Sequence, residues 1–166
     1  MELRKHLSPR IVFAGLYMLA FLGYVIYGLR PAEAVQSYEI ADELIIPSIA
    51  LDADVTKLQL ETDGLRTPDT IVGSYTKSDN KTLLIGHSTT VFRNLHEVDL
   101  DADIVYDGRE YRVVAIDMTT KGKIDMNELL QKSDKDTLVM MTCAGELLEN
   151  GDATHRLMIT AILQDE

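Results

Sequence analysis

The feature that most constrains this chain is a run of residues that an ordinary globular core would not need. Ile11 to Leu29, within RIVFAGLYMLAFLGYVIYGLRP, contains no charged residue and at helical rise is long enough to cross a hydrocarbon layer. Arg4, Lys5 and Arg10 precede the run, whereas Glu33, Glu39, Asp42 and Glu43 follow it. Basic residues mark the cytoplasmic side of a membrane span, so the short N-terminus is expected inside the cell and the rest of the chain outside. A cleaved signal peptide is the competing reading. Against it, the run is long for such a segment, carries bulky Tyr24 and Tyr27 near its end, and leads only to a weak small-residue site at Ala32 and Ala34. The expected organisation is a cytoplasmic N-terminus over 1–10, a transmembrane signal anchor over 11–29, a linker over 30–41 and one domain over 42–166.

The linker, RPAEAVQSYEIADE, is polar, contains Pro31 and shows no sustained periodicity. From Pro31 onward 12 Lys and Arg face 26 Asp and Glu, a net of −14. A surface of that sign repels phosphate backbones, which excludes nucleic acid as a partner class. One cysteine, Cys143, occurs in the whole chain. In an external domain it has no internal disulfide partner, so it is buried, intermolecular or reactive.

The domain reads as a series of short strands. In ELIIPSIALDADV, Pro47 interrupts β-formers and gives either two short strands or one broken edge strand. DGLRTPDT is turn material. KTLLIG is a strand that stops at Gly86 and opens into a polar loop carrying His87, Ser88, Thr89 and Thr90. DIVYDGREYRVVAI alternates on both sides of Asp107-Gly108, the signal of a two-residue hairpin. KIDMNELLQK places Asp125 three residues before Glu128, a capping-box-like start for one short helix. TLVMMTC and HRLMITAIL are the last two strands, joined by a polar segment from Ala144 to Thr154. Short strands able to pair with their neighbours predict a mainly β domain, a closed or partly closed barrel with few helices.

If the last two strands pair antiparallel, Cys143 lies opposite or diagonal to His155 and Arg156, depending on a one-residue choice of register. Arg156 shares a strand face with Met158, Thr160 and Ile162, so its charge sits at the rim of an otherwise apolar face. A nucleophilic cysteine also needs a proton acceptor. Of the four histidines, His6 precedes the apolar run, His96 follows a turn as a surface or capping residue, and His155 lies in the last strand. His87, at the end of an apolar strand, is best placed to project into a cleft. Met140, Met141 and Met158 read as core. Asp99, Asp101 and Asp103 alternate and could offer oxygen ligands to calcium, but a solvated acidic strand is the plainer reading.

These residues together are similar to the sortases, the membrane-anchored cysteine transpeptidases of mainly Gram-positive cell surfaces. The likeness rests on LLIGHSTTVFRNL, a strand ending Thr-Cys, an arginine in the next strand, the IPSIALDADV segment and the N-terminal anchor, and it covers Glu43 to Leu163. The family usually reads Thr-Leu-x-Thr-Cys, whereas this chain has Val139-Met140-Met141-Thr142-Cys143. The resemblance implies a sortase-like closed antiparallel or mixed barrel with His87 as acid/base, Cys143 as nucleophile and Arg156 steadying the substrate backbone or oxyanion. It implies a substrate-binding place for Thr142, which matches the threonine before the family's cysteine. It further implies surface proteins with a C-terminal LPxTG-like sorting motif as substrates, and an amine such as a cell-wall precursor or pilin lysine as acceptor. No cofactor is expected beyond the calcium already considered. A cell-surface cysteine hydrolase and a non-catalytic membrane-tethered barrel are the alternatives.

Overall fold

A computed structural model describes residues 38–61, 64–149 and 151–164. The anchor expected over Ile11–Leu29 lies outside them, and among the described residues no helix is long and apolar enough to cross a membrane. The domain begins with β1 (Ile40–Ile46) and β2 (Leu51–Lys57), an antiparallel pair joined by a 3₁₀ turn over Pro47–Ile49. Pro47 opens that turn, where its missing N–H costs nothing, and Ala50 closes it at φ 50°. The break expected at Pro47 is therefore a corner between two strands, and β1 starts two residues ahead of Asp42.

A small two-stranded sheet, β3 (Leu60–Glu61) with β4 (Gly64–Leu65), precedes β5 (Val72–Ser78) and β6 (Lys81–Ile85). Then come β7 (Asp103–Tyr106), β8 (Arg109–Thr120), the short helix α1 (Met126–Leu129), β9 (Thr137–Leu147) and β10 (Ala153–Leu163). Eight strands close a barrel in the order β1-β2-β5-β6-β9-β10-β8-β7. Antiparallel pairing of Leu44 with Tyr106 and Ile45 with Val105 completes the circle. Closure leaves the barrel no free edge. Two neighbouring pairs are parallel, β2 with β5 and β6 with β9. The second requires a long crossover, and the β7–β8 hairpin and α1 both lie within it.

The interior holds Leu44, Ile46, Val55, Leu84, Phe92, Ile104, Tyr111, Leu138, Met140 and Ile159, all essentially solvent-free. Met140 is thus core, as expected. The run TLVM in β9 is buried throughout rather than alternating. Its outer face is covered as well: Val139 joins Leu83 and Leu130 in a second cluster, against which Leu65, Tyr75, Ile85, Leu129 and Met141 pack. Strands buried on two faces read as continuous apolar stretches. The cap of α1 matches its sequence signal, with Asp125 Oδ1 accepting from the Asn127 N–H at 2.8 Å.

The polar segment from Ala144 to Thr154 departs from expectation. Much of it is strand: β9 runs to Leu147 and β10 begins at Ala153. Leu147 is 77% exposed, so this end of the hairpin is held by backbone hydrogen bonds rather than by burial, and a hydrophobicity pattern cannot register it. Asp99 and Asp101 also depart, since they lie in a turn rather than on a strand and Asp101 has φ 63°.

Candidate active site

The site is built on the parallel pair β6–β9. Ile85 pairs with Met141, and both side chains pack in the cluster on the outer face of the barrel. Side chains alternate along a strand, so the next residue on that face is two positions on: His87 after Ile85 and Cys143 after Met141. The two parallel strands thus lead His87, just past the end of β6, and Cys143 toward one cleft on this face. Between them, Gly86 and Thr142 point inward. The buried Thr142 hydroxyl donates to the Gly86 carbonyl at 2.7 Å, and the Gly86 N–H donates to the Met141 carbonyl at 3.4 Å. A side chain at Gly86 would stand 2.6 Å from the Phe92 ring and 2.7 Å from Val91. The loop after His87 thus folds directly onto the strand end, held by Phe92 and Thr90 N–H groups donating to the His87 carbonyl.

The antiparallel pair β9–β10 supplies the third group. The register pairs Arg156 with Cys143 and His155 with Ala144, which settles the choice left open by sequence: arginine stands directly opposite the cysteine. His87, Thr142, Cys143 and Arg156 all line one cleft of about 570 Å³. Its apolar walls come from Leu60, Leu65, Tyr75, Ile85, Ile124 and Leu130. Cys143 is only partly buried and is a free thiol. The inert, deeply buried cysteine that a pure scaffold would carry is not what the fold presents.

The polar contacts are specific. His87 Nε2 lies 3.4 Å from the Thr67 carbonyl and 3.8 Å from the exposed carboxylate of Asp69. A carbonyl only accepts, so in this contact the His87 ring donates through Nε2. Thr90 Oγ1 donates to the Asp69 carbonyl, tying the loop after β4 to the loop that bears His87. His96 is elsewhere, exposed and bonded through Nδ1 to the Arg93 carbonyl at 3.1 Å. His155 pairs through Nδ1 with Thr154 Oγ1 at 2.8 Å. His6 lies outside the described residues.

Arg156 is 13% exposed and is not the isolated charge that the strand pattern suggests. Nη2 donates to Asp152 Oδ1 at 2.7 Å, and Nη1 donates to the carbonyls of Ala153 at 3.0 Å and His155 at 2.9 Å. Asp152 also pairs with Lys121, which lines the cleft. Hydrogen bonds from Lys121 and then Arg156 hold its carboxyl well below the usual carboxylate range. Sequence reasoning missed Asp152, Thr67, Asp69 and Lys121. Each reaches the site from a turn or strand end, where no periodicity announces a side chain's direction. Among the described residues no three His, Cys, Asp or Glu side chains stand together as a metal site. Asp103 is instead engaged by Arg112, whose Nη2 lies 2.9 Å away.

A thiol, an imidazole and a guanidinium thus line one apolar cleft, the combination of groups that acyl transfer by a nucleophilic cysteine calls for. A sequence model of the Sortase domain matches residues 44–164, and the chain belongs to the sortase family. Solved structures agree on the fold. Sortase A from Corynebacterium diphtheriae, a lid mutant, is similar at TM-score 0.60 and 21% identity over 86% of this chain and 80% of that one. Sortase A of Listeria monocytogenes gives 0.60 at 14% identity, over 76% and 88% of the two chains. Sortase E1 from Streptomyces coelicolor, solved with a tripeptide in the active site, gives 0.58 at 14% identity over 76% and 89%. No protein of curated function matches the sequence significantly. Family and fold together place the chain among sortase-type transpeptidases.

Proposed function

We propose that Cys143 attacks a backbone carbonyl within an LPxTG-like motif of a surface protein, giving a thioacyl enzyme that an amine resolves into a new amide. The single observation that carries this reading is the shared cleft, in which the β9–β10 register sets Arg156 opposite Cys143 and the β6–β9 register sets His87 beside it. His87 protonates the leaving amine and later takes a proton from the incoming one. Arg156 and a backbone N–H after Cys143 stabilise the oxyanion. The apolar wall from Leu60 to Leu130 suits the aliphatic start of such a motif, and Thr142 serves the site by tying the cysteine strand to Gly86. The chemistry as proposed draws on these side chains and a backbone N–H and invokes no cofactor or metal.

The acceptor is an amine such as a cell-wall precursor or a pilin lysine. We further propose the single-pass topology, with residues 1–10 cytoplasmic and the barrel extracellular. External protease applied to intact cells should remove the barrel, whereas protection, or a mature N-terminus beyond Ala34, would contradict that topology. The function is tested by incubating the full-length chain with a panel of sorting-motif peptides, with and without amines, and identifying products by mass spectrometry. Amide-linked product that depends on the added amine is expected. Free acid alone, whatever the amine, would make the chain a hydrolase, and no cleavage would sink both readings.

A further inference from the structure

We propose that Asp152 is a positioning residue for the transpeptidation assigned above, its carboxylate holding the Arg156 guanidinium in place opposite Cys143 before substrate arrives. The inference rests on that functional reading and adds a residue that neither the family match nor the sequence pattern singles out.

The geometry is that of a clamp. Three acceptors within the start of β10 surround one end of the guanidinium: Asp152 Oδ1, the Ala153 carbonyl and the His155 carbonyl. The β9–β10 ladder shifts register between Ala153 and His155. The two carbonyls that receive Nη1 belong to the residues flanking that irregularity. Of the five N–H donors of an arginine, Nη1 uses two and Nη2 one, which leaves Nε–H and one Nη2–H for a carbonyl oxygen or a developing oxyanion. An arginine free in solvent samples many rotamers, and fixing it is an entropic cost met at the moment of binding. Here the fold has met much of that cost beforehand.

The carboxylate has a second partner. Lys121, just after β8, pairs with Asp152 Oδ2, so one anion joins the end of β8 to the start of β10 and is shared by two cations of the cleft. Because Lys121 and Arg156 both pair with this carboxylate, its charge is shared and Arg156 is oriented without being fully neutralised. The depressed carboxyl of Asp152 keeps the clamp charged well below neutral pH. Asparagine at this position could still accept a hydrogen bond but would not hold two cations.

The test uses the full-length chain as wild type, Asp152→Ala, Asp152→Asn, Asp152→Glu, Arg156→Ala and the double variant Asp152→Ala/Arg156→Ala. Turnover of a sorting-motif peptide with an amine is measured together with the ¹⁵N signal of the Arg156 Nε–H. We expect Asp152→Ala and Asp152→Asn to lower kcat/KM by about tenfold, mostly in kcat, with Asp152→Glu recovering most of it. In the Arg156→Ala background, removal of Asp152 should add nothing. The Nε–H signal, sharp and slowly exchanging in wild type, should broaden and exchange faster in Asp152→Ala. Wild-type rates in Asp152→Ala, faster rates, or an undiminished loss in the Arg156→Ala background would each overturn the proposal. If wild type itself yields neither thioacyl enzyme nor amide, the sortase reading fails, and the NMR comparison alone decides the clamp: an equally ordered Arg156 in Asp152→Ala refutes it.

Discussion

Two hairpins of the same barrel differ in almost every respect that matters for function. β7–β8 turns at Asp107-Gly108, with φ 51° and 68°, the tight two-residue geometry that such a dipeptide favours. Its turn is exposed, and Tyr111 beyond it is sunk in the core. β9–β10 has a longer connection, a register shift near its turn and a glycine at φ 79°, Gly145, two residues after Cys143. Its turn is braced by Asp152, which reaches Lys121 as well as Arg156. The first hairpin is a closure device that local sequence specifies. The second is shaped partly by a contact distant in sequence, Asp152 with Lys121, and on the proposed function it holds reactive groups in register rather than merely reversing the chain.

The comparison is broken most severely at the cysteine. Cys143→Ala should abolish thioacyl formation and amide exchange while thermal unfolding stays near wild type, since a partly exposed thiol contributes little buried area. His87→Ala should be similarly inactive and His96→Ala near wild type; equal losses at both would remove the reason for choosing His87. Arg156→Lys keeps the charge but loses the planar fork that feeds three acceptors, so transpeptidation should fall on the order of a hundredfold with little change in melting temperature. Arg156→Ala should be worse, and unfolding of that variant would mark the residue as structural.

Two glycines, Gly108 in the first turn and Gly145 within β9, sharpen the contrast. Both have positive φ, but a Cβ at Gly108 meets open space, whereas one at Gly145 would lie 2.6 Å from Thr154 Oγ1 and 2.7 Å from His155 Nδ1. Gly108→Ala should cost about 1 kcal/mol of stability and leave turnover unchanged. Gly145→Ala should displace the start of β10 and lower turnover by roughly tenfold or more, a loss that melting temperature alone would understate. Steady-state kinetics beside thermal melts would separate the two, and equal kinetic effects would erase the distinction.

The smallest effect is a titration within the structural hairpin. Burial, and then the Asp136 carboxylate, push the Tyr111 phenol up to about 12. Its raised value means that the stability it contributes is complete below the unfolded value near 10 and is lost as pH rises from there toward about 12. Its hydroxyl also finds no hydrogen-bond partner among the described residues. Tyr111→Phe should therefore be as stable as wild type or slightly more so at neutral pH, and should lose part of the alkaline decline in melting temperature. An unchanged alkaline slope would assign the decline to other groups.

The barrel was legible wherever local chemistry decided the outcome. Asp107-Gly108, the Asp125 cap and the stop at Gly86 each follow from one or two residues acting within a turn of chain. His87, Cys143 and Arg156 stood out in the sequence because each borders an apolar run, although β9 continues four residues past Cys143 and β10 begins three before Arg156. What stayed hidden depends on contacts across sequence. The parallel pairing of β6 with β9, which sets the level of His87 against that of Cys143, spans a long crossover that no periodicity encodes. Asp152 lay in what reads as a loop, and although Arg156 is only four residues on, Lys121 becomes its neighbour only once β8 and β10 are side by side. The acidic trio Asp99, Asp101 and Asp103 showed the opposite error, since alternation suggested a strand face but a turn at Asp101 intervenes.

The central claim is that the β9–β10 hairpin presents Cys143 as an acyl-accepting nucleophile, and one measurement addresses it directly. The full-length chain is mixed with a sorting-motif peptide in the absence of amine, quenched in acid and examined by intact mass followed by peptide mapping. The account predicts one acyl fragment, comprising the peptide up to its scissile bond, located on Cys143 and discharged when an amine is added before the quench. An adduct on another residue, or none under conditions where peptide is consumed, would contradict it.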